Sequence, residues 1–130
     1  MRALALLAAL ALASCDAVSP GLVCTDEYVV LDVEVVDDIG RPIPGLTASS
    51  VNERTGETLG EVPTGYSDDP TVPGRYVLAT DSDMPRLRLD GDPVRFTASG
   101  AGVTASATFT VANDGCHVRV EAGPDQVVAD

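Results

Sequence analysis

The chain has 130 residues, of which 20 are acidic and 8 are basic, so its formal net charge at pH 7 is −12. A surface this acidic repels phosphate backbones, which argues against nucleic acid as a partner. The single histidine excludes metal centres that need two histidine ligands, such as a two-histidine iron site. The length is that of a single domain.

The N-terminus has the pattern of a secretion signal. Arg2 precedes an uninterrupted apolar run over residues 3–13. The run is shorter than the about 20 residues that a membrane-spanning helix needs. It has no polar face, as a helix at the edge of a domain would have. Its length and its flanking positive charge are those of a signal peptide, so we predict a signal helix over residues 1–14.

The end of this segment, Leu12-Ala13-Ser14-Cys15, resembles the lipobox of bacterial lipoproteins. The resemblance implies that the Cys15 thiol receives a diacylglyceryl group and that the peptide is cut between Ser14 and Cys15. Two or more acyl chains hold a protein stably on a membrane. We therefore expect a protein anchored by lipid to a bacterial membrane, on the periplasmic or outer side of the cell envelope. Residues 15–26 would be its lipidated N-terminus and tether.

Three cysteines is an odd number for an exported protein, and lipidation of Cys15 accounts for one of them. Cys24 and Cys116 remain, in a compartment that favours oxidation. We predict that they form a disulfide between the start of the first strand and the last strand. The alternative is a metal site of Cys116 and His117, but the sequence offers no second His and no Cys-x-x-Cys pair to complete it.

The rest of the chain consists of short segments in which apolar and polar residues alternate, separated by turns rich in Gly and Pro. The predicted strands cover residues 28–36, 46–53, 58–62, 75–80, 86–89, 94–98, 103–111 and 116–121. No segment after the signal has helical periodicity. The fold class is therefore predicted to be all-β, a single antiparallel β-sandwich of about seven strands over residues 27–121. Residues 122–130 lack a pattern and are expected to form a flexible tail.

Several local motifs follow one another in a distinctive order. They are Asp38-Ile39-Gly40-Arg41-Pro42-Ile43-Pro44-Gly45, then Gly74-Arg75-Tyr76-Val77, then Val94-Arg95-Phe96-Thr97, and finally Asp114-Gly115-Cys116-His117-Val118. This order resembles the carboxypeptidase regulatory-like domain, a transthyretin-like (prealbumin-like) β-sandwich, and especially its bacterial lipoprotein versions, whose closing strand begins Asp-x-Cys-His-Val. The resemblance covers residues 24–121 and implies a non-catalytic accessory domain. The acidic loops at 63–74 and 81–92 are not marks of that family.

Candidate catalytic and metal-binding groups are few. His117 is the one possible base for a Ser or Cys nucleophile, and its position at a strand start beside a bridged Cys is typical of a structural histidine. The pairs Asp68-Asp69, Asp81 with Asp83, and Asp90 with Asp92 could direct oxygens at calcium. None of them belongs to a complete Asp-x-Asp-x-Asp-Gly loop with a distal Glu. We predict no catalytic residue, no metal site and no cofactor.

The leading hypothesis is a membrane-anchored, non-enzymatic envelope lipoprotein whose sandwich serves as an interaction or structural module for an envelope protein or ligand. A module that binds a small ligand or carbohydrate, with calcium held by the acidic loops, is the alternative. A diverged hydrolase is the third hypothesis.

Overall fold

The computed structural model describes residues 21–62 and 72–130. The predicted signal segment, the lipidation and cleavage residues Ser14 and Cys15, and the acidic pair Asp68-Asp69 lie outside the described residues. The strands are β1 (Val30–Val36), β2 (Thr47–Asn52), β3 (Thr58–Leu59), β4 (Arg75–Thr80), β5 (Asp92–Gly100), β6 (Val103–Asn113), β7 (Val118–Ala122) and β8 (Gln126–Val128). A 3₁₀ helix, Asp81–Arg86, follows β4.

The strands form two sheets, and the predicted all-β sandwich is confirmed. One sheet has five antiparallel strands in the order β3-β2-β5-β6-β7. The other has the order β4-β1-β8, in which β1 is antiparallel to β4 and parallel to β8. Strand β5 shows why the chain folds this way, because its side chains alternate strictly between buried and exposed positions along its first eight residues.

The core lies between the inner faces of the two sheets. Val35 and Leu78 from the smaller sheet and Val94, Phe96 and Val111 from the larger one are completely or almost completely buried. Fully burying a side chain of this kind is worth about 1.5–3 kcal/mol, so the core drives the folding of the domain.

Residues 122–130, predicted to be a flexible tail, belong to the sandwich instead. Strand β8 pairs with β1, and Val127 is only 3% exposed. Beyond the strand, the amide of Ala129 donates to the Val36 carbonyl at 2.9 Å, and Asp130 exchanges two backbone hydrogen bonds with Thr104. The prediction failed because a strand of three residues has a single inward side chain, so its sequence shows no alternation of apolar and polar residues. The segment is held in place by its backbone pairing with β1.

The segment 86–89, predicted as a strand, is the end of the 3₁₀ helix and a turn. Pro85 removes a backbone donor, and the Asp83 carboxylate accepts hydrogen bonds from the amides of Thr80 and Gly60, both at 2.9 Å. These contacts hold the chain in a turn. Leu87 is buried in the core while Leu89 points outward, so their alternation reflects a turn with one inward side chain.

Candidate functional site

The predicted disulfide is present at one end of the sandwich. Cys24, which precedes β1, is bonded to Cys116, which precedes β7, with the two Cα atoms 5.2 Å apart. This end, which we call the tether end, consists of residues 22–29, 52–57, 80–92 and 113–119. Its segments are joined to one another, since the Asn52 amide donates to the Arg86 carbonyl at 3.0 Å and the Asn113 backbone amide to the Arg88 carbonyl at 3.1 Å.

A chain of three polar side chains lies beside the disulfide. Nε2 of His117 is 3.0 Å from the hydroxyl of Thr25, and Nδ1 of His117 is 2.7 Å from Oδ2 of Asp81. The Asp81 carboxylate also accepts hydrogen bonds from the backbone amides of Val29 at 2.8 Å and Val118 at 2.9 Å. Thr25 is exposed, whereas His117 and Asp81 are largely buried.

The Asp81 carboxylate is held in its charged form. Burial acts to raise its pKa, but the hydrogen bonds from the Val29 amide, the His117 ring and the Val118 amide outweigh burial and lower the pKa below its ordinary value. A carboxylate fixed in this way orients the imidazole, because it favours the tautomer that carries a proton on Nδ1.

Hydroxyl, imidazole and carboxylate in this order form the hydrogen-bond relay of serine hydrolases. Acyl transfer also needs amide donors for the developing oxyanion. The amides of the adjacent loop already have acceptors within it: that of Gly115 donates to Oδ1 of Asn113, and those of Cys116 and His117 both donate to Oδ1 of Asp114. The loop therefore uses these three donors to stabilise its own turn.

Sequence reasoning identified His117 but missed its partners. Thr25 is 92 positions away from it in the chain and Asp81 is 36 positions away. Neither residue belongs to a sequence motif with His117, and no sequence signal paired Asp81 with it. The Cys24–Cys116 pairing is the one prediction that implied Thr25 and His117 would be neighbours.

An open cleft of about 370 Å³ adjoins the relay. The side chains around it include Leu22, Val23, Thr25, Asp114, His117 and Arg119. Apolar, hydroxyl, acidic and basic groups thus meet at the opening of this cleft, and residues 22–25 form one side of it.

Asp92 forms a second polar cluster at the same end, and it is completely buried. Its carboxylate accepts two hydrogen bonds from Arg54 at 2.5 and 2.8 Å, one from Asn52 at 3.1 Å, and two from Arg88 at 3.1 and 3.2 Å. The hydrogen bonds from Arg54, foremost, together with those from Asn52 and Arg88, hold the pKa of Asp92 far below its ordinary value. The cluster fastens the end of β2 to the start of β5.

Of the acidic residues considered as calcium ligands, Asp81, Asp83 and Asp92 accept hydrogen bonds from donors of the chain itself, and Asp68-Asp69 lie outside the described residues. Asp81, Asp83 and Asp92 turn toward backbone amides, His117 and Arg54, while the Asp90 side chain is 81% exposed. Within residues 21–62 and 72–130, no three His, Cys, Asp or Glu side chains come together as a metal site would require. The same residues include no helix with the length and apolar character needed to cross a membrane.

Comparisons of the chain with protein-family models, with curated proteins and with solved structures found no match.

Proposed function

We propose that the protein is a membrane-anchored, non-enzymatic lipoprotein of the bacterial cell envelope, whose sandwich, of the carboxypeptidase regulatory-like type, serves as an interaction or structural module. The observation that carries this proposal is the lipobox Leu12-Ala13-Ser14-Cys15, followed nine residues later by a cysteine bonded to the domain. A disulfide is stable in an exported protein, and its place at Cys24 suits the junction between a lipid anchor and the folded domain.

The polar clusters of the tether end support a role without catalysis. Asp81 and His117 join the beginnings of β1 and β7, and Asp92 joins β2 to β5. Each buried carboxylate is surrounded by donors of the chain, as expected of groups that stabilise a fold. An envelope protein or ligand would then bind to the outer surface of the sandwich.

The proposal is tested by replacing the lipidated residue. Cys15→Ala removes the thiol that would accept the diacylglyceryl group, so radiolabelled lipid should no longer be incorporated and the protein should leave the membrane fraction. Ser19→Ala, a change just outside the lipobox, should leave labelling and fractionation as in the wild type. Lipid labelling of the Cys15→Ala variant equal to that of the wild type would contradict the proposal.

A second candidate function, hydrolysis of an ester, has the Thr25–His117–Asp81 relay in its favour. Oγ1 of Thr25 would attack the ester carbonyl while Nε2 of His117 takes the hydroxyl proton and passes it to the leaving alcohol. Water would then cleave the acyl-threonine by the same route. A small aryl ester is the suitable probe. Turnover that Thr25→Ala abolishes and Thr25→Ser keeps supports hydrolysis, whereas equal rates in all three proteins support the non-enzymatic role.

The module that binds a small ligand or carbohydrate stays a prediction. The cleft beside Thr25 and Arg119 is the described feature that such a ligand would occupy.

A further inference from the structure

Three large apolar side chains are exposed at the tether end. Leu22 is 60% exposed, Val23 is 89% exposed and Leu89 is 70% exposed. We propose that the tether end rests on the surface of a lipid bilayer and that these three side chains enter its interfacial region. This inference rests on the proposed lipid anchor and adds to it a surface of contact and an orientation of the domain.

The segments that carry these three side chains are connected to one another. Leu22 lies against Gly115 and is two residues from Cys24, which the disulfide fixes to the loop before β7. Leu89 is in the turn whose Arg88 carbonyl accepts the backbone amide of Asn113 at 3.1 Å. The side chain of Asn113 in turn accepts the Gly115 amide at 2.8 Å. One loop therefore positions both Leu22 and Leu89.

The length of chain between the anchor and the domain brings this surface to the membrane. Cys15 and Leu22 are separated by seven residues, which span at most about 25 Å when fully extended. The opposite end of the sandwich is farther away by the length of its strands. Strand β6, with 11 residues, spans about 35 Å, and β1, whose seven residues lead to the exposed Ile39, spans about 23 Å. A lipid at Cys15 therefore keeps Leu22 within about 25 Å of the anchored residue, closer than the opposite end can be held.

The charges at this end suit shallow contact with headgroups. Arg54, Arg86, Arg88 and Arg119 all lie there, and Arg88 and Arg119 expose about half of their side chains next to Leu89 and the cleft. Arginine beside exposed apolar residues is typical of interfacial surfaces. Six acidic side chains are exposed at the same end and outnumber the four arginines: Asp26, Glu27, Glu53, Glu57, Asp90 and Asp114. The contact is therefore limited to the headgroup region and favours zwitterionic lipids over anionic ones.

With a lipid anchor, the exposed apolar side chains need only a low affinity of their own for the bilayer. Once two acyl chains hold Cys15 in the bilayer, contact by Leu22, Val23 and Leu89 is an intramolecular step with a high effective concentration. A few exposed side chains, too few to bind a membrane alone, can then set the orientation of the domain.

The test uses the absence of tryptophan from the chain. A single Trp is introduced by Leu89→Trp or Leu22→Trp at the tether end, and by Ile39→Trp, at a site 69% exposed, at the opposite end as a matched control. Each lipidated full-length protein is reconstituted into phosphatidylcholine vesicles with brominated acyl chains. We expect at least twofold quenching of Trp fluorescence at positions 89 and 22 and none at position 39.

The outcomes separate the two proposals. If mass spectrometry finds the diacylglyceryl group on Cys15 but the Leu89→Trp and Ile39→Trp proteins are quenched to the same extent, or not at all, the docking surface is overturned and the lipoprotein function stands. If Cys15 in exported protein carries no lipid, the proposed function fails and this inference fails with it. Thermal unfolding of each variant at the wild-type temperature excludes a folding defect as the cause.

Discussion

Nδ1 of His117 lies 2.7 Å from Oδ2 of Asp81, and this contact joins the loop before β7 to the 3₁₀ helix after β4. The same carboxylate accepts the Val29 amide at the entrance to β1. Together with the Cys24–Cys116 disulfide, it attaches the incoming chain to two different parts of the sandwich. If the proposed lipid anchor is present, a force applied through the chain before Cys24 would therefore be distributed between both sheets.

The first prediction concerns Asp81→Asn. The Asn side chain has one acceptor oxygen in place of two, and its NH2 group would face groups that are themselves donors. One or more of the hydrogen bonds from Val29, Val118 and His117 are therefore lost. We expect the free energy of unfolding at pH 7 to fall by about 1–3 kcal/mol, measured by urea denaturation. Asp38→Asn, at an exposed turn position, should change it by less than about 0.5 kcal/mol. Equal stability of the two variants would contradict the role of Asp81.

The second prediction is that Asp92 makes the protein sensitive to acid. Its folded pKa lies below the unfolded value near 3.8, so its contribution to stability is complete above that value and is lost as the pH falls below it. Asp92→Asn should lower the free energy of unfolding at pH 7 by about 2–3 kcal/mol, because Arg54 and Arg88 lose a charged partner but can turn toward solvent. The difference from the wild type should shrink below about pH 4.

Asp90→Asn is the matched control for that measurement, since Asp90 is two residues away and exposed. Its stability should follow that of the wild type at every pH. A constant difference between the Asp92→Asn variant and the wild type from pH 7 to pH 2 would mean that the Asp92 charge is not responsible.

The strand pattern could be predicted where a strand has one buried and one exposed face. The predicted strand over 75–80 coincides with β4, and β1, β2, β5 and β6 lie within a few residues of their predicted bounds. Strand β8 could not be predicted, because three residues paired to β1 leave no periodic signal. The 3₁₀ helix could not be predicted either, since the Asp83 contacts that fix it involve Gly60, in a distant part of the chain.

The candidate site was predictable only in its covalent part. Counting cysteines was sufficient to pair Cys24 with Cys116, because lipidation would use the third. The relay of Thr25, His117 and Asp81 depends on which chain ends the sandwich brings together. Asp92 was read as a possible calcium ligand, whereas the structure surrounds it with Arg54 and Arg88.

The third prediction concerns the disulfide. The bond closes a loop of 92 residues, so a chain-entropy argument gives it up to about 4.7 kcal/mol of stability. The double substitution Cys24→Ala with Cys116→Ala should lower the free energy of unfolding by about 2–4 kcal/mol under oxidising conditions. The wild type treated with a reductant should show the same loss. If neither the double variant nor the reduced protein is destabilised, the disulfide does not constrain the domain.

The fourth prediction tests β8 as part of the core. Val127 is 3% exposed and its neighbour Val128 is 54% exposed. Val127→Asp places an unpaired charge in the core and should unfold the domain or lower the free energy of unfolding by at least about 3 kcal/mol. Val128→Asp makes the same chemical change on the outer face and should cost less than about 0.5 kcal/mol. Circular dichroism during thermal unfolding measures both, and similar melting of the two variants would contradict a buried β8.

The last prediction concerns Gly74, whose carbonyl accepts the Val35 amide at 2.8 Å beside the start of β4. Gly74 has φ +82°, and a Cβ added there would lie 2.6 Å from the Cβ of Pro42. Gly45 has nearly the same backbone angle, φ +77°, but open space around it. Gly45→Ala therefore measures the cost of left-handed backbone alone, about 1 kcal/mol.

Gly74→Ala adds a steric clash between the new methyl group and Pro42. The Pro42 side chain cannot rotate away from this clash, because its ring is closed onto the backbone. We expect urea denaturation to show a loss for Gly74→Ala that exceeds the loss for Gly45→Ala by at least about 1 kcal/mol. Equal losses would mean that the segment around Pro42 moves freely enough to accommodate the methyl group.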